Sequence, residues 1–337
     1  MNFLSVDSEL PRLLKVNRQR WNRNAAVRVL GAALMVWGWA VAAAADSVAD
    51  TYFRYFRPSG HIDEPALNEL SGLAVSRRTA GRWWGLNDSG NAPMLYAMSP
   101  DGRSQGQVTV SSLNTDWEDL ASYQRDGQAW LAIADTGDNF GFRSQVSIWV
   151  LPEPTLPAKG IAQTREIRFR FEDGPRDCES LAADPQRGRF LLIDKGRKPA
   201  GLYELPMTFT AGSELAMAKR IADLPLIWEG PVPPALPAGV ERYRGTPTAI
   251  DLSPDGRKLL ILTYKHLAEF ERRADEDWPQ AIARGPMRIV RLPRQRILEA
   301  AGYEADANSA LIGGEDEHAA LWRWNGRFPP AKAPAAP

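Results

Sequence analysis

The chain has a single cysteine, Cys178, and three scattered histidines, His61, His266 and His318, in 337 residues. One thiol excludes an intramolecular disulfide framework, and the lack of any CxxC or Cys/His spacing excludes a structural zinc site. So few histidines also leave little room for a Ser-His-Asp triad, and His318 beside Glu315 and Asp316 reads as a solvated loop residue. Basic charge is not in excess, since 41 Lys and Arg face 41 Asp and Glu. The phosphate-neutralising stripe of a nucleic-acid binder is therefore missing, and nucleic acid is excluded as an expected partner. Gly102-Arg103-Ser104-Gln105-Gly106 fits the expression G-x-S-x-G. It follows Pro100-Asp101 between two strand-like runs, however, where a nucleophile elbow needs a strand-to-helix turn.

What charge asymmetry there is lies at the N-terminus. Residues 1–45 carry Arg12, Lys15, Arg18, Arg20, Arg23 and Arg28 against Asp7 and Glu9, so the rest of the chain is net acidic. The arginines precede an uncharged run, Val29 to Ala45, that ends in Ala43-Ala44-Ala45 before Asp46. This is the order of an export signal: basic region, apolar region, small-residue cleavage site. The run is shorter than the ~20 residues of a spanning helix. The pattern predicts a signal peptide over 1–45 and a mature start at Asp46, with an uncleaved N-terminal anchor as the alternative. A periplasmic or secreted protein without a transmembrane domain is expected after cleavage, and the lone thiol suits a bacterial envelope.

The mature part is organised by a repeat. Small-residue starts occur at Ser71-Gly72-Leu73-Ala74, Glu118-Asp119-Leu120-Ala121, Glu179-Ser180-Leu181-Ala182, Thr248-Ala249-Ile250-Asp251 and Glu299-Ala300-Ala301-Gly302. Each is followed by a polar turn and an apolar run such as Trp130-Leu131-Ala132-Ile133 or Leu259-Leu260-Ile261-Leu262, which is the signature of a hairpin. Third strands are expected at 94–97, 146–150, 202–205, 288–291 and 321–324, and fourth strands at 107–110 and 166–171. Four strands per repeat indicate a β-propeller blade. The expected fold is all-β: a propeller of five to six four-stranded blades over residues 46–328, the sixth hidden in 206–247, with a disordered Pro/Ala tail at 329–337. The last unit lacks a fourth strand, and the orphan run Thr51–Phe56 is expected to supply it, removing an open sheet edge.

Several motifs, Glu69-Leu70-Ser71-Gly72-Leu73-Ala74, Leu86-Asn87-Asp88-Ser89-Gly90, Asp116-Trp117-Glu118-Asp119-Leu120-Ala121 and Asp135-Thr136-Gly137-Asp138-Asn139, resemble those of bacterial exported propeller proteins, over roughly residues 66–325. More distantly, the blade-start glutamates are similar to those of senescence-marker/gluconolactonase-type and calcium-dependent phytase-type propellers. That resemblance implies a divalent metal at the channel mouth.

In an antiparallel blade the start of the first strand and the end of the second lie at the same end. This gathers Asp116, Glu118, Asp119, Asp177 and Glu179 with Asn87, Asp88, Asp135, Asp138, Asn139, Asp194, Glu315 and Asp316 on one acidic face. Converging carboxylates raise one another's pKa unless cations share the site. An all-oxygen set suits calcium, so Ca2+ is the expected cofactor, held by Glu118, Glu179, Asp135 and Asp138. Asn87, Asp88, Asn139, Asp194, Lys195, Glu315 and Asp316 are the expected ligand-binding residues. Asx-turns are the structural alternative for the Asp and Asn residues, and Lys195, Arg143 and Arg197 are their available counter-charges. Two long connections, Leu224–Gly245 and Lys265–Gly285, are also assigned to this face. Two functions fit: a monomeric module binding a small-molecule or envelope ligand, and a metal-dependent hydrolase of a phosphoester, lactone or other ester with Glu118, Asp135 or Glu179 as base. The leader is tested by intact-mass measurement of protein recovered from the envelope of an expressing cell, which should show a chain starting at Asp46. A product retaining Met1 would overturn it.

Overall fold

Two-residue turns of Asp-Gly type favour hairpins because both residues accept positive φ. Asp126 and Gly127 adopt φ of 53° and 75° between paired residues Arg125 and Gln128. The structure, a computed structural model, describes residues 54–195, 198–209, 214–228, 244–293 and 297–328. They belong to a compact unit running Thr51–Pro337. The expectations for the leader at 1–45 and the tail at 329–337 fall outside the described residues.

Among the described residues the fold is all-β apart from short helical stretches. The first meander is β2 (Leu70–Val75), β3 (Trp83–Asn87), β4 (Met94–Met98) and β5 (Ser104–Thr109). The second is β6 (Trp117–Arg125), β7 (Gln128–Asp135), β8 (Val146–Pro152) and β9 (Arg165–Phe171). The third is β10 (Leu181–Asp184), β11 (Arg189–Ile193), β12 (Gly201–Pro206) and β13 (Ala216–Asp223), joined to the second where β13 pairs in parallel with β9. The fourth is β14 (Pro247–Leu252), β15 (Lys258–Thr263), β16 (His266–Glu271) and β17 (Arg288–Arg291). The fifth takes β18 (Ala300–Tyr303), β19 (Ala310–Gly313) and β20 (Ala320–Trp324) from the end of the chain and β1 (Phe56–His61) from its beginning.

First strands stand next to one another in a closed cycle: β2 by β6, β6 by β10, β10 by β14, β14 by β18, and β18 by β2. The small residues of the repeat follow from this convergence. A Cβ on Gly72 would sit 2.6 Å from the Leu120 amide nitrogen, and one on Gly302 would sit 2.9 Å from the Leu73 carbonyl oxygen. Apolar clusters fill the wedge between each pair of neighbouring meanders, for instance Trp84 with Trp117 and Ile133, or Tyr203 with Phe169 and Phe190. Burying each such side chain contributes about 1.5–3 kcal/mol.

Buried carboxylates stitch the cycle together. Asp119, with no exposed surface, accepts from the amides of Leu120 at 2.8 Å and Leu181 at 2.7 Å, and more weakly from Ile250 at 3.5 Å. One side chain thereby ties three first strands. Asp251 accepts from the Tyr303 amide at 2.7 Å and so ties β14 to β18. Glu153 accepts from Trp84 Nε1 at 3.0 Å and from the Arg77 amide at 2.9 Å, joining the second meander to the first.

Three expectations are corrected. The closing strand is Phe56–His61, not 51–56: Arg54 and Tyr55 are helical, and Thr51–Phe53 lie outside the described residues. Phe56 is fully buried opposite Trp324, which sets the register. The region 206–247 contributes β13 to the third meander, and residues 229–243 lie outside the described residues. In the fourth meander the third strand is His266–Glu271 and Arg288–Arg291 is the fourth. The long excursion therefore runs from Arg272 to Met287, between third and fourth strands, at the end away from the acidic face. It carries a short helix, α1 (Trp278–Ala283), whose N-cap Asp277 is gripped by Arg189.

Asp119→Ala should leave at least two buried amides unpaired and lower stability by about 3 kcal/mol, at ~1–3 kcal/mol per unsatisfied group. Chemical denaturation checks this; a loss within 0.5 kcal/mol (roughly the effect of an ordinary surface change) would remove Asp119 from the axial stitching.

Candidate functional site

The acidic end of the cycle is built by residues just before first strands and just after second strands. Glu118 lies at the start of β6, and Asp177 and Glu179 precede β10. Asp88 follows β3, and Asp116 precedes β6. Two carboxylate triads result: Asp88, Asp116 and Glu118, and Glu118, Asp177 and Glu179, each with one oxygen per residue within 4.8 Å of the others. Glu118 belongs to both. It is buried, as is Glu179, while the other three are half-buried.

The backbone around the triads is fixed by hydrogen bonds between the second and third meanders and within the third. Thr136 Oγ1 donates to the Cys178 carbonyl at 2.6 Å, the Asp138 amide donates to Asp177 Oδ1 at 3.0 Å, and the Lys195 amide donates to the Asp177 carbonyl at 2.8 Å. Gly137 floors the site: a Cβ there would collide with the carboxylates of Glu118 and Asp116. Cys178 lies buried below with its thiol toward the Ile193 carbonyl, and burial pushes that thiol well above its usual range. It is a packing residue.

Like charge at this density shows in the proton affinities. Burial, then Asp88 and Asp116, hold Glu118 well above the ordinary carboxylate range, and Lys195 acts against them. Asp88 is raised by burial and by Glu315 and Glu69; Asp116 is raised by burial and by Asp88. Counter-charge comes from Lys195, whose ammonium is ion-paired with Glu179, and from Arg143, which acts against the rise at Asp116; Arg197 lies outside the described residues. At the fifth meander Glu315 is raised to about 8, by burial and by its hydrogen bond and charge contact with Glu299.

The expected site residues separate into groups. Glu118, Glu179 and Asp88 are in the triads, with Lys195 and Glu315 at their border. Asp135 and Asp138 do not join them, although both are buried. Asp135 Oδ1 accepts from Arg143 at 2.8 Å and from the Asp116 amide at 3.2 Å, and its Oδ2 accepts from Trp149 Nε1 at 3.3 Å. Asp138 accepts from the Phe142 and Arg143 amides at 2.8 and 2.9 Å, the Asx-type role anticipated as the structural alternative. Asn87 clamps the connection before β2, accepting from the Glu69 amide and donating to the Ala66 carbonyl. Asp194 is fully buried, bound by the Gly201 amide with Arg176 at 3.6 Å, and is raised to about 6 chiefly by burial. Asn139 and Asp316 are exposed, and His318 Nδ1 lies 3.1 Å from the Ile62 carbonyl oxygen. The border carboxylates Glu69 and Glu299 were outside the expected set, although each immediately precedes a first strand, the same signal that marks Glu179.

A carboxyl whose folded value exceeds its unfolded one holds its proton more tightly when folded. Its stabilising contribution is complete below the unfolded value and is lost as pH rises through the folded one. For Glu315 that window runs from 4.5 to about 8, and Asp88, Asp116 and Glu118 act in the same direction. The metal-free protein should therefore melt at progressively lower temperature across this range, and Glu315→Gln should flatten part of the fall. Melting curves in chelator across a pH series check it; an undiminished fall in the variant would remove Glu315 as a contributor.

No family model and no curated protein matches the chain. Among solved structures it is similar to a gluconolactonase from Xanthomonas campestris, 13% identical over 77% of this chain and 72% of that one, with a TM-score of 0.42.

Proposed function

We propose that this chain holds a divalent cation over the mouth of its central channel and uses it to bind a small-molecule or envelope ligand. The observation that carries the reading is the sharing of Glu118 by two carboxylate triads, with Lys195 as the ammonium paired into them. The five donors Asp88, Asp116, Glu118, Asp177 and Glu179 offer oxygen only, which suits calcium or another hard ion. A bound cation would offset the repulsion that raises Glu118 and Asp88. Asp135 and Asp138 serve this centre by holding the loop beneath it. The basic stretch, apolar run and alanine site of residues 18–45 support a periplasmic or secreted setting for this activity. Among the described residues no helix is long and apolar enough to cross a membrane. The closed cycle of first strands favours a monomer.

A second reading, a metal-dependent hydrolase of a phosphoester, lactone or other ester, is favoured by the Lys195 ammonium beside the carboxylates. A cation and an ammonium on one side of a substrate stabilise developing negative charge, and a carboxylate free of the ion accepts a proton from water. Asp135 cannot be that base, because both its oxygens are occupied by donors.

Calcium should raise the melting temperature, the stabilisation reaching roughly 2.7 kcal/mol at 100 times Kd. Glu118→Gln with Glu179→Gln should abolish the response while leaving the protein folded, the relief of repulsion at Glu118 being set against the lost Lys195–Glu179 pair. If calcium and chelator leave wild-type melting unchanged across the millimolar range, the cation reading fails. Calcium-dependent turnover in a screen of esters, lactones and phosphoesters, lost in the double variant, selects the hydrolase; a calcium response without turnover selects the binding module.

A further inference from the structure

At the end away from the carboxylate triads, the first strands of four meanders finish around a cavity of about 130 Å³. Arg77 follows β2, Ser122 and Gln124 lie near the end of β6, Asp184 ends β10 with Gln186 in the turn beyond it, and Leu252 ends β14. Every lining residue belongs to the described segments. The walls are tied across the meanders: Gln124 Nε2 donates to the Arg77 carbonyl at 3.2 Å, and Gln186 Nε2 donates to the Pro254 carbonyl at 3.4 Å.

Arg77 is the half-buried cation of this cavity. Its Nε donates to Ser122 Oγ at 3.1 Å, and among the described residues it forms no ion pair with a carboxylate. The acids around it are engaged elsewhere. Asp184 has no exposed surface and is paired with Arg189 at 3.3 Å. Asp251, on which the Arg77 charge acts, accepts the Leu252 amide on Oδ1 at 2.8 Å and the Tyr303 amide on Oδ2 at 2.7 Å. With Nε anchored to Ser122, the two Nη groups make the outward side of a planar fork, the shape that matches a carboxylate.

We propose that this cavity seats a short-chain monocarboxylate, with its two oxygens on the Arg77 Nη groups and its body against Tyr123 and Leu252. A space of ~150 Å³ holds benzene, so the ligand is limited to about six heavy atoms. One guanidinium balances one negative charge. A dianion such as phosphate would bring surplus charge toward Asp184 and Asp251 and fits less well. The attraction is stronger than at an open surface because the guanidinium is half-buried. None of these residues belongs to the triads, so the seat does not rest on the cation reading above.

The test titrates the full chain calorimetrically with propionate, propionamide and inorganic phosphate at low ionic strength. Propionate should bind, its neutral isostere should not, and phosphate should bind more weakly. Arg77→Gln should weaken propionate at least about tenfold, the loss expected for a charge-assisted pair. Arg77→Lys keeps the charge without the fork and should recover only part of that loss. Gln186→Glu places a like charge at an exposed position on the rim, where folding is not at stake, and should weaken propionate by up to about fivefold. It decides the matter if the Arg77 variants do not fold. The proposal is overturned if propionate does not bind the wild type, if propionamide or phosphate binds as tightly, or if Arg77→Gln or Gln186→Glu binds as the wild type does. Each variant should melt in calcium and in chelator as the wild type does, and a wild type without a calcium response would count against the triads and leave this seat standing.

Discussion

Everything at the acidic end depends on how closely five first strands can stand around one axis. Backbones at that spacing leave room only for small or deeply hydrogen-bonded side chains, hence Gly72, Ala74, Ala121, Ala182, Ala249, Ala301 and Gly302. The strands are not edge-paired with one another, so their inward amides need acceptors from elsewhere. Asp119 and Asp251 provide them, and burial raises Asp119 well above the usual range and Asp251 to about 6. Buried charge is costly unless hydrogen-bonded, and here each carboxylate is bonded both within its own strand and across to a neighbouring meander. The carboxylate therefore acts as a cross-link whose loss loosens several blades together.

That same convergence produces the functional candidate. Asp119 faces the axis and pins β10 and β14, so its neighbour Glu118 is presented at the mouth at a fixed height. The equivalent start of β10 presents Glu179. Two glutamates that belong to separate repeats become neighbours because the strands beneath them cannot move apart. Gly137 completes the arrangement by leaving the space their carboxylates occupy. Rigidity below and repulsion above are the combination expected of a preorganised cation site, since the donors do not need to be gathered at the moment of binding.

Much of this was legible in the sequence because the repeat is strong where it is apolar. The small-residue starts and the runs at Trp130–Ile133 and Leu259–Leu262 form strands in the expected order, and the Asp-Gly pairs turn between them. The failures have local causes. His266–Glu271 alternates His, Leu, Ala, Glu, Phe and Glu and reads as a polar loop, yet Glu269 is buried because Tyr303 Oη donates to it at 2.8 Å. A polar residue satisfied by a distant partner is invisible to periodicity. The closing strand slipped because Phe53 and Phe56 are equally good aromatic anchors on paper, and only pairing with Trp324 distinguishes them. Asp135 and Asp138 looked identical in kind to Glu118, and nothing in a linear pattern reveals that Arg143, Trp149 and two loop amides already bind them.

Glu179 and Lys195 show how the acidic mouth is balanced from within the third meander. Glu179 has two oxygens, and the Lys195 ammonium takes one of them. Lys195 in turn lies on the wall of a space lined by Lys198 and Arg244. The polarity of the site thus follows from the order of the third meander's residues, with acids before its first strand and lysines after its second.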